Sequence, residues 1–303
     1  MRAILFPGQG SQYVGMGLDF YNKFDLVKKI FKTVDETLGY PLSHIILNGS
    51  AEELKSTQNT QPAIMTVGVS IFTVLNKEFG LNLNEAKYFA GHSLGEYTAL
   101  VCAGSLTLER AAYLLHERGK SMQEAVPKDQ GSMIAILDMS IDEVEEELKL
   151  IPPGNICEIA NHNSNTQVVV SGMKIGINIL ADNLKKKRKK GIILPVSAPF
   201  HCALMNKAAE AMKVKIEETV FLKPRPTIIS NVNAKEEFDG KVIKKLLVDQ
   251  IISKVRWKES VDYMIKNGVN NFLEIGPGKI LSGLVKKINK EVKISNINKI
   301  EDM

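Results

Sequence analysis

Short apolar runs followed by glycine-rich turns and then by helical spacings recur along this chain. Ile4-Leu5-Phe6 has the continuous apolar character of a buried strand and runs into Pro7-Gly8-Gln9-Gly10-Ser11-Gln12, a glycine-rich loop. Lys87-Tyr88-Phe89-Ala90 repeats the arrangement, passing through Gly91-His92-Ser93-Leu94-Gly95 into a helix-like stretch from Glu96 to Ala103. A further helical pattern covers Leu108 to Met122, and another follows from Cys202 to Glu218. Between Gly131 and Val196 the pattern predicts strand (Ser132 to Leu137), helix (Ile141 to Lys149), strand (Cys157 to Ala160), strand (Gln167 to Val170), helix (Lys174 to Lys189) and strand (Ile192 to Val196). That is the βαββαβ order of a ferredoxin-like unit. Ser140-Ile141-Asp142-Glu143 forms a capping box at its first helix, and Pro152-Pro153-Gly154 breaks the chain after it. The flanking parts alternate strand and helix as a mainly parallel α/β sheet would. The expectation is therefore an α/β protein with a large domain over 1–127 and 199–303, interrupted by a small ferredoxin-like subdomain over 128–198.

Composition narrows the class without changing this picture. With 303 residues, 44% hydrophobic and 24% charged, the chain reads as an ordinary soluble globular protein, long enough for one large core or two domains. Cys102, Cys157 and Cys202 show no CxxC spacing and are odd in number, which argues against a disulfide framework or zinc site and fits a reducing cytoplasm. A strand begins almost at residue 1, so no signal or transit segment is expected, and no apolar run approaches membrane-spanning length. Lys185-Lys186-Lys187-Arg188-Lys189-Lys190 has no interleaved aromatic residues, and no nucleic-acid motif surrounds it. It reads as a solvated helix face; the alternative is electrostatic docking of an acidic partner, which a net charge of +5 would favour.

The pentapeptide Gly91-His92-Ser93-Leu94-Gly95 has the form of a nucleophile elbow. A serine on a sharp strand-to-helix turn stands clear of the sheet, and the flanking glycines let other backbone approach closely. The Leu94 amide then lies at a helix N-terminus, where it can face the oxygen of a tetrahedral intermediate. In an α/β-hydrolase-like sheet the second oxyanion donor comes from an early strand-to-helix loop, which makes the Gln9 amide its natural partner. Gly8-Gln9-Gly10-Ser11-Gln12 is not a dinucleotide fingerprint, because Tyr13 occupies the place of the third glycine. A serine needs a base, and the chain offers His44, His92, His116, His162 and His201. His92 adjoins the serine and should point away from it, and His116 lies in a helical pattern. His162 sits in a polar turn, Asn161-His162-Asn163-Ser164-Asn165, and stays in contention. His201 is the best candidate, since Pro195 and Pro199 stiffen its approach.

Three segments together, Phe6 to Gln12, Gly91 to Tyr97 and Pro195 to His201, resemble the malonyl-CoA:acyl carrier protein transacylases of bacterial type II fatty acid synthesis. The likeness continues through Arg118 to Gln123, Asn161 to Ser164, Val255-Arg256-Trp257 and Glu274 to Gly278. The resemblance implies Ser93 as the acylated nucleophile, His201 as its base and acid, and Gln9 and Leu94 as oxyanion-hole amides. It makes Gln250 the residue that orients the histidine in place of a carboxylate. Arg118 would bind the free carboxylate of the malonyl group, beside Met122 and Asn161 in the same pocket. A planar guanidinium suits that task because it can hold a carboxylate through two parallel hydrogen bonds. Lys254 departs from the pattern, standing where the family usually has proline after the Gln250 segment. With Ser93 in the large part and Asn161 in the small one, the substrate is expected in the cleft between them. No metal or redox cofactor is implied; malonyl-CoA and holo acyl carrier protein are the expected substrate and partner, with no nucleic acid and no membrane, and the protein is expected as a cytoplasmic monomer. A trans-acting acyltransferase of polyketide synthesis would share these motifs. A serine hydrolase would share the elbow but has no reason to keep Arg118, and a noncatalytic carrier-protein binding module has none to keep Ser93 and His201.

Overall fold

The computed structural model describes residues 1–127, 129–196 and 198–303. Lys128, the first residue expected of the small subdomain, and Ser197, within the proline-flanked histidine segment, lie outside the described residues.

Among the described residues, ten strands divide between two sheets. They are β1 (Arg2–Phe6), β2 (Tyr88–Gly91), β3 (Gly131–Leu137), β4 (Cys157–Ser164), β5 (Gln167–Met173), β6 (Lys190–Ile193), β7 (Thr227–Ile229), β8 (Glu236–Glu237), β9 (Asn271–Ile275) and β10 (Lys293–Ile297). The larger sheet has the order β10-β9-β1-β2-β7-β8 and is parallel except where β8 runs back along β7. Its central strands have helices on both sides and are buried along nearly their whole length, which is why β1 and β2 read as unbroken apolar runs. The expected alternation fails between β1 and β2. Five α-helices and a short 3₁₀ helix lie in that connection: Leu18–Lys23, Asp25–Leu38, Leu42–Asn48, Ala51–Lys55 and Thr57–Lys77, then Leu83–Glu85. Thr57–Lys77 is buried nearly all round, so its apolar content carries no clear stripe.

The smaller sheet has the order β4-β5-β3-β6 and is antiparallel throughout. Two helices, Ile141–Leu148 and Lys174–Lys186, pack their apolar faces onto it around Ile134, Ile136, Val168, Val170, Ile177 and Leu180. The capping box at Ser140 is present: the Glu143 amide donates to Ser140 Oγ at 3.2 Å and the Ser140 amide to Glu143 Oε2 at 2.7 Å. Several boundaries differ from the sequence expectation: β5 runs on to Met173 instead of ending at Val170, β6 spans Lys190–Ile193 instead of Ile192 to Val196, and the largest differences are at β4 and the second helix. β4 continues through Asn161 to Ser164, so the supposed polar turn is strand; its polar side chains are buried against the rest of the protein, and polarity there does not mark solvent. The helix that carries the basic run ends at Lys186, Arg188 turns with φ 56°, and β6 already begins at Lys190. Lys187 then pairs with Glu147 at 2.6 Å and Lys189 with Glu143 at 3.4 Å, so two of the six basic residues are neutralised locally.

A short parallel bridge joins the two sheets. The Val255 amide donates to the Ala160 carbonyl at 2.8 Å, and the His162 amide donates to the Val255 carbonyl at 3.0 Å. It fixes β4 against the segment that follows the helix Gly240–Ile252, and so fixes Asn161 relative to Gln250. Lys254 lies in this tethered segment.

The turn after β2 has no room for side chains at its glycines. A Cβ on Gly91 would lie 1.9 Å from the Gly95 carbonyl carbon, and one on Gly95 would lie 2.2 Å from the Phe6 carbonyl oxygen. Gly91→Ala should therefore force backbone displacement and cost about 3 kcal/mol or more, against near-neutral or slightly stabilising behaviour for Gly283→Ala on an open helix face. Thermal unfolding of the two variants side by side measures the difference.

Candidate active site

Ser93 lies two residues past the end of β2 and has φ 54°, the left-handed conformation that a non-glycine residue adopts only under constraint. Four contacts impose it. The Gly8 backbone lies against the His92 carbonyl and Gly95 lies against Phe6, so the loops after β1 and β2 interlock through glycines. The Ser93 amide donates to Asn231 Oδ1 at 2.7 Å, and Asn231 Nδ2 donates to the Gly91 carbonyl at 2.7 Å. Asn231 follows β7, the neighbour of β2, and clamps the elbow from outside.

Ser93 Oγ lies 2.8 Å from His201 Nε2, and His201 Nδ1 lies 2.8 Å from the Gln250 main-chain carbonyl. A carbonyl can only accept, so Nδ1 carries the proton, the Nε2 lone pair faces the serine, and Ser93 donates its hydroxyl proton to it. Gln250 lies in the last turn of the helix Gly240–Ile252, not in a loop, and helix-terminal carbonyls lack partners within the helix. The group that orients the histidine is thus the main chain of Gln250 and not its amide side chain. His201 itself has φ 60° and is 5% exposed. Burial first, and the nearby Arg118 charge second, hold its imidazole down to about 3, so it is neutral and able to accept a proton near pH 7.

The Gln250 side chain serves a second group. Its Oε1 accepts from Arg118 Nη2 at 2.9 Å, and its Nε2 donates to Glu96 Oε2 at 2.8 Å. Arg118 Nη1 donates to Gln61 Oε1 at 2.7 Å, and Nη2 also donates to Ser93 Oγ at 3.1 Å. The guanidinium is 1% exposed, it forms no ion pair among the described residues, and its Nε has no hydrogen-bond acceptor among them. Two N–H donors, on Nε and Nη1, are left for an incoming acceptor. Glu96 is the buried carboxylate nearest in this network; burial pushes its carboxyl up to about 7, against the Asn231 amide and Gln250, which favour the charged form. Gln61, Glu96 and Asn231 were not singled out from the sequence as site residues. Glu96 falls inside the quoted elbow segment, whereas Gln61 and Asn231 are plain amides whose role depends on tertiary placement.

These groups open onto a cavity of about 610 Å³ between the two sheets, lined in part by Gln9, Leu94, Met122, Asn161 and Val196 as well as the catalytic candidates. All eight side chains or amides expected at the site are thus brought together. The amides of Gln9 and Leu94 donate to no acceptor among the described residues, which leaves them free for an oxyanion. Met122 Sδ accepts from Gln61 Nε2 at 3.8 Å. Of the other histidines, His92 turns away to Asn163 Oδ1 at 2.9 Å, His162 lies 3.2 Å from Glu259, and His116 lies 3.3 Å from the Tyr40 hydroxyl. None of these serves Ser93. Cys202 is buried and its thiol is raised by that burial, which makes it an apolar filler beside the histidine.

Residues 4–301 match the family described as acyl transferase domain. The chain is 42% identical over 293 residues to the malonyl CoA-acyl carrier protein transacylase of Bacillus subtilis, covering 96% of this chain and 91% of that one. It superposes on the crystal structure of acyl-carrier-protein-S-malonyltransferase from Bartonella henselae with a TM-score of 0.96 at 40% identity, covering 99% and 96% of the two chains. A malonyl-transacylase in complex with its type II PKS acyl-carrier protein gives a TM-score of 0.95 at 38% identity, covering 99% and 97%.

Two outcomes follow from the geometry. Because the folded-state value of His201 is depressed, its neutral form persists down to well below pH 6.5, so the rate of Ser93 labelling by a sulfonyl fluoride should show no histidine step near 6.5. A step near pH 7 should belong to Glu96 and disappear in Glu96→Gln; one that persists there would contradict the buried, neutral imidazole. Asn231→Ala should lower the same labelling rate about tenfold or more, through loss of the elbow clamp, while circular dichroism stays native.

Proposed function

The chain belongs to the acyl transferase domain family, and from that premise we propose that it transfers the malonyl group of malonyl-CoA to the phosphopantetheine thiol of acyl carrier protein, supplying malonyl units for fatty acid synthesis. The observation that carries this reading is Arg118: a buried guanidinium, without an ion-pair partner among the described residues, 3.1 Å from the oxygen of the candidate nucleophile. Burying an unpaired charge is costly, so a site that maintains one is suited to a ligand that brings the opposite charge. A carboxylate one carbon away from the thioester carbonyl meets that requirement.

In this mechanism His201 takes the hydroxyl proton as Ser93 attacks the thioester carbonyl, and the Gln9 and Leu94 amides hold the resulting oxyanion. The histidine, held in one tautomer by the Gln250 carbonyl, returns the proton to the departing CoA thiolate. The carrier thiol then attacks the malonyl-Ser93 ester by the same steps in reverse order, with His201 again as base. Arg118 exchanges its contact with Ser93 Oγ for the malonyl carboxylate, with Met122 and Asn161 lining the acyl pocket. A serine, a histidine and fixed dipoles supply all the groups this chemistry uses, and the protein acts as a monomer in the cytoplasm. We read the larger sheet as an α/β-hydrolase-like catalytic domain over 1–127 and 199–303. The smaller one, whose strand order and paired helices fit it, is read as a ferredoxin-like subdomain over 128–198.

Intact mass spectrometry after brief incubation with malonyl-CoA tests the proposal. A malonyl adduct is expected, absent in Ser93→Ala and discharged onto holo acyl carrier protein; an adduct that only hydrolyses would favour a hydrolase, and no adduct would refute acylation. Arg118→Ala should lose discrimination for malonyl over acetyl donors by about 2 to 5 kcal/mol, read as the ratio of kcat/KM values.

A further inference from the structure

The cavity that holds Ser93 is lined by two cationic side chains, Arg118 and Lys55, and by no aspartate or glutamate among the described residues. Arg118 sits at its buried end. Lys55 is exposed, as are its fellow lining residues Gly10, Pro195 and Ile280, and these mark the rim. The Lys55 ammonium makes no hydrogen bond or ion pair among the described residues, in contrast to Lys187, Lys215 and Lys258, which lie within 3.0 Å of carboxylates. Its backbone is nevertheless firmly held. Lys55 ends the short helix Ala51–Lys55, which a Ser50–Glu53 capping box starts and the buried Leu54 anchors. The helix that follows ties it down again: Asn59 Nδ2 donates to the Glu53 carbonyl at 2.9 Å, and Thr60 Oγ1 donates to the Leu54 carbonyl at 2.5 Å. An unpaired cation carried on a firmly held stretch of backbone, at the rim of a cavity lined by no carboxylate among the described residues, is a site for an anion.

Resting on the proposed malonyl transfer, we infer that Lys55 binds the phosphate at the outer end of the pantetheine arm in both half-reactions. Malonyl-CoA and the holo carrier differ beyond that point, in a nucleotide on one and a folded protein on the other. They share the thiol arm and the phosphate that ends it. With the acyl group at Ser93 and its carboxylate on Arg118, the arm runs outward through the cavity, and the phosphate emerges at the rim beside Lys55. Two cations at the two ends of one cavity then read the two anionic ends of one substrate.

The test compares malonyl-phosphopantetheine with malonyl-pantetheine, which differ only in the phosphate, as donors for Ser93 acylation by the full chain and by Lys55→Ala, Lys55→Arg and Lys55→Glu. Holo acyl carrier protein is titrated in the second half-reaction. Lys55→Ala should raise KM for malonyl-phosphopantetheine about fivefold to tenfold with kcat unchanged, Lys55→Glu should raise it further, and Lys55→Arg should restore it. KM for malonyl-pantetheine should not move. A parallel rise in KM for the holo carrier extends the site to both substrates, and a rise confined to the donor overturns its role in the second half-reaction. An equal rise for the phosphate-free donor would assign Lys55 to the shape of the rim, and no rise for either donor would also overturn the inference. Failure of the unsubstituted protein to be acylated by any malonyl donor would refute the malonyl-transfer reading itself, and this inference with it.

Discussion

Ser93 has to stay in a left-handed backbone conformation at the end of a buried strand, and much of the surrounding structure serves that constraint. The conformation is costly for a residue with a side chain, by about 1 to 3 kcal/mol, and relaxes unless neighbours forbid it. Here the neighbours are backbone: Gly8, Gly91 and Gly95 bring two loops and the start of a helix into contact where a methyl group would not fit. The Asn231 amide closes the remaining side. The turn that lifts the hydroxyl out of the sheet also leaves the Leu94 amide free at a helix start, so the nucleophile and part of the oxyanion site come from one piece of geometry.

Gln250 joins the rest. Its main-chain carbonyl selects the His201 tautomer, and its side chain spans Arg118 and Glu96. One residue at a helix end thereby sets the base on one side and the guanidinium on the other, and the bridge from Val255 to β4 fixes that helix end against Asn161 on the smaller sheet. The electrostatic balance is unusual for an interior. A buried arginine faces a carboxyl group whose own burial holds it up to about 7, and the same arginine helps keep the histidine neutral. Such an arrangement costs stability in the empty protein and favours a ligand that brings negative charge to Arg118.

Much of this was legible in the sequence because the constraints are local. Gly91 and Gly95 flank Ser93 in the chain, the apolar runs of β1 and β2 are contiguous, and the Ser140 capping box spans four residues. The resemblance to a known family supplied Arg118, Gln250 and Asn161, which no periodicity would have picked out. What escaped was tertiary. Asn161 to Asn165 are polar and read as a turn, yet the first four are strand residues turned into the interior. Gln61 and Asn231 gain their roles from elements far away in the chain. The connection between β1 and β2 is mainly helical, and it escaped because its longest member is buried nearly all round, which erases the stripe that spacing arguments rely on. The basic run looked like one helix face, but it divides among a helix end, a left-handed turn and an edge strand.

Malonyl recognition turns on Arg118 exchanging the serine oxygen for a substrate carboxylate. A crystal structure of the malonyl-loaded protein tests this most directly. Malonyl is expected esterified to Ser93, with its carboxylate held by two Arg118 nitrogens and its carbonyl oxygen within hydrogen-bond distance of the Gln9 and Leu94 amides. An acyl group whose carboxylate points to solvent, with Arg118 still bonded as it is now to Gln61, Gln250 and Ser93 Oγ, would contradict that exchange.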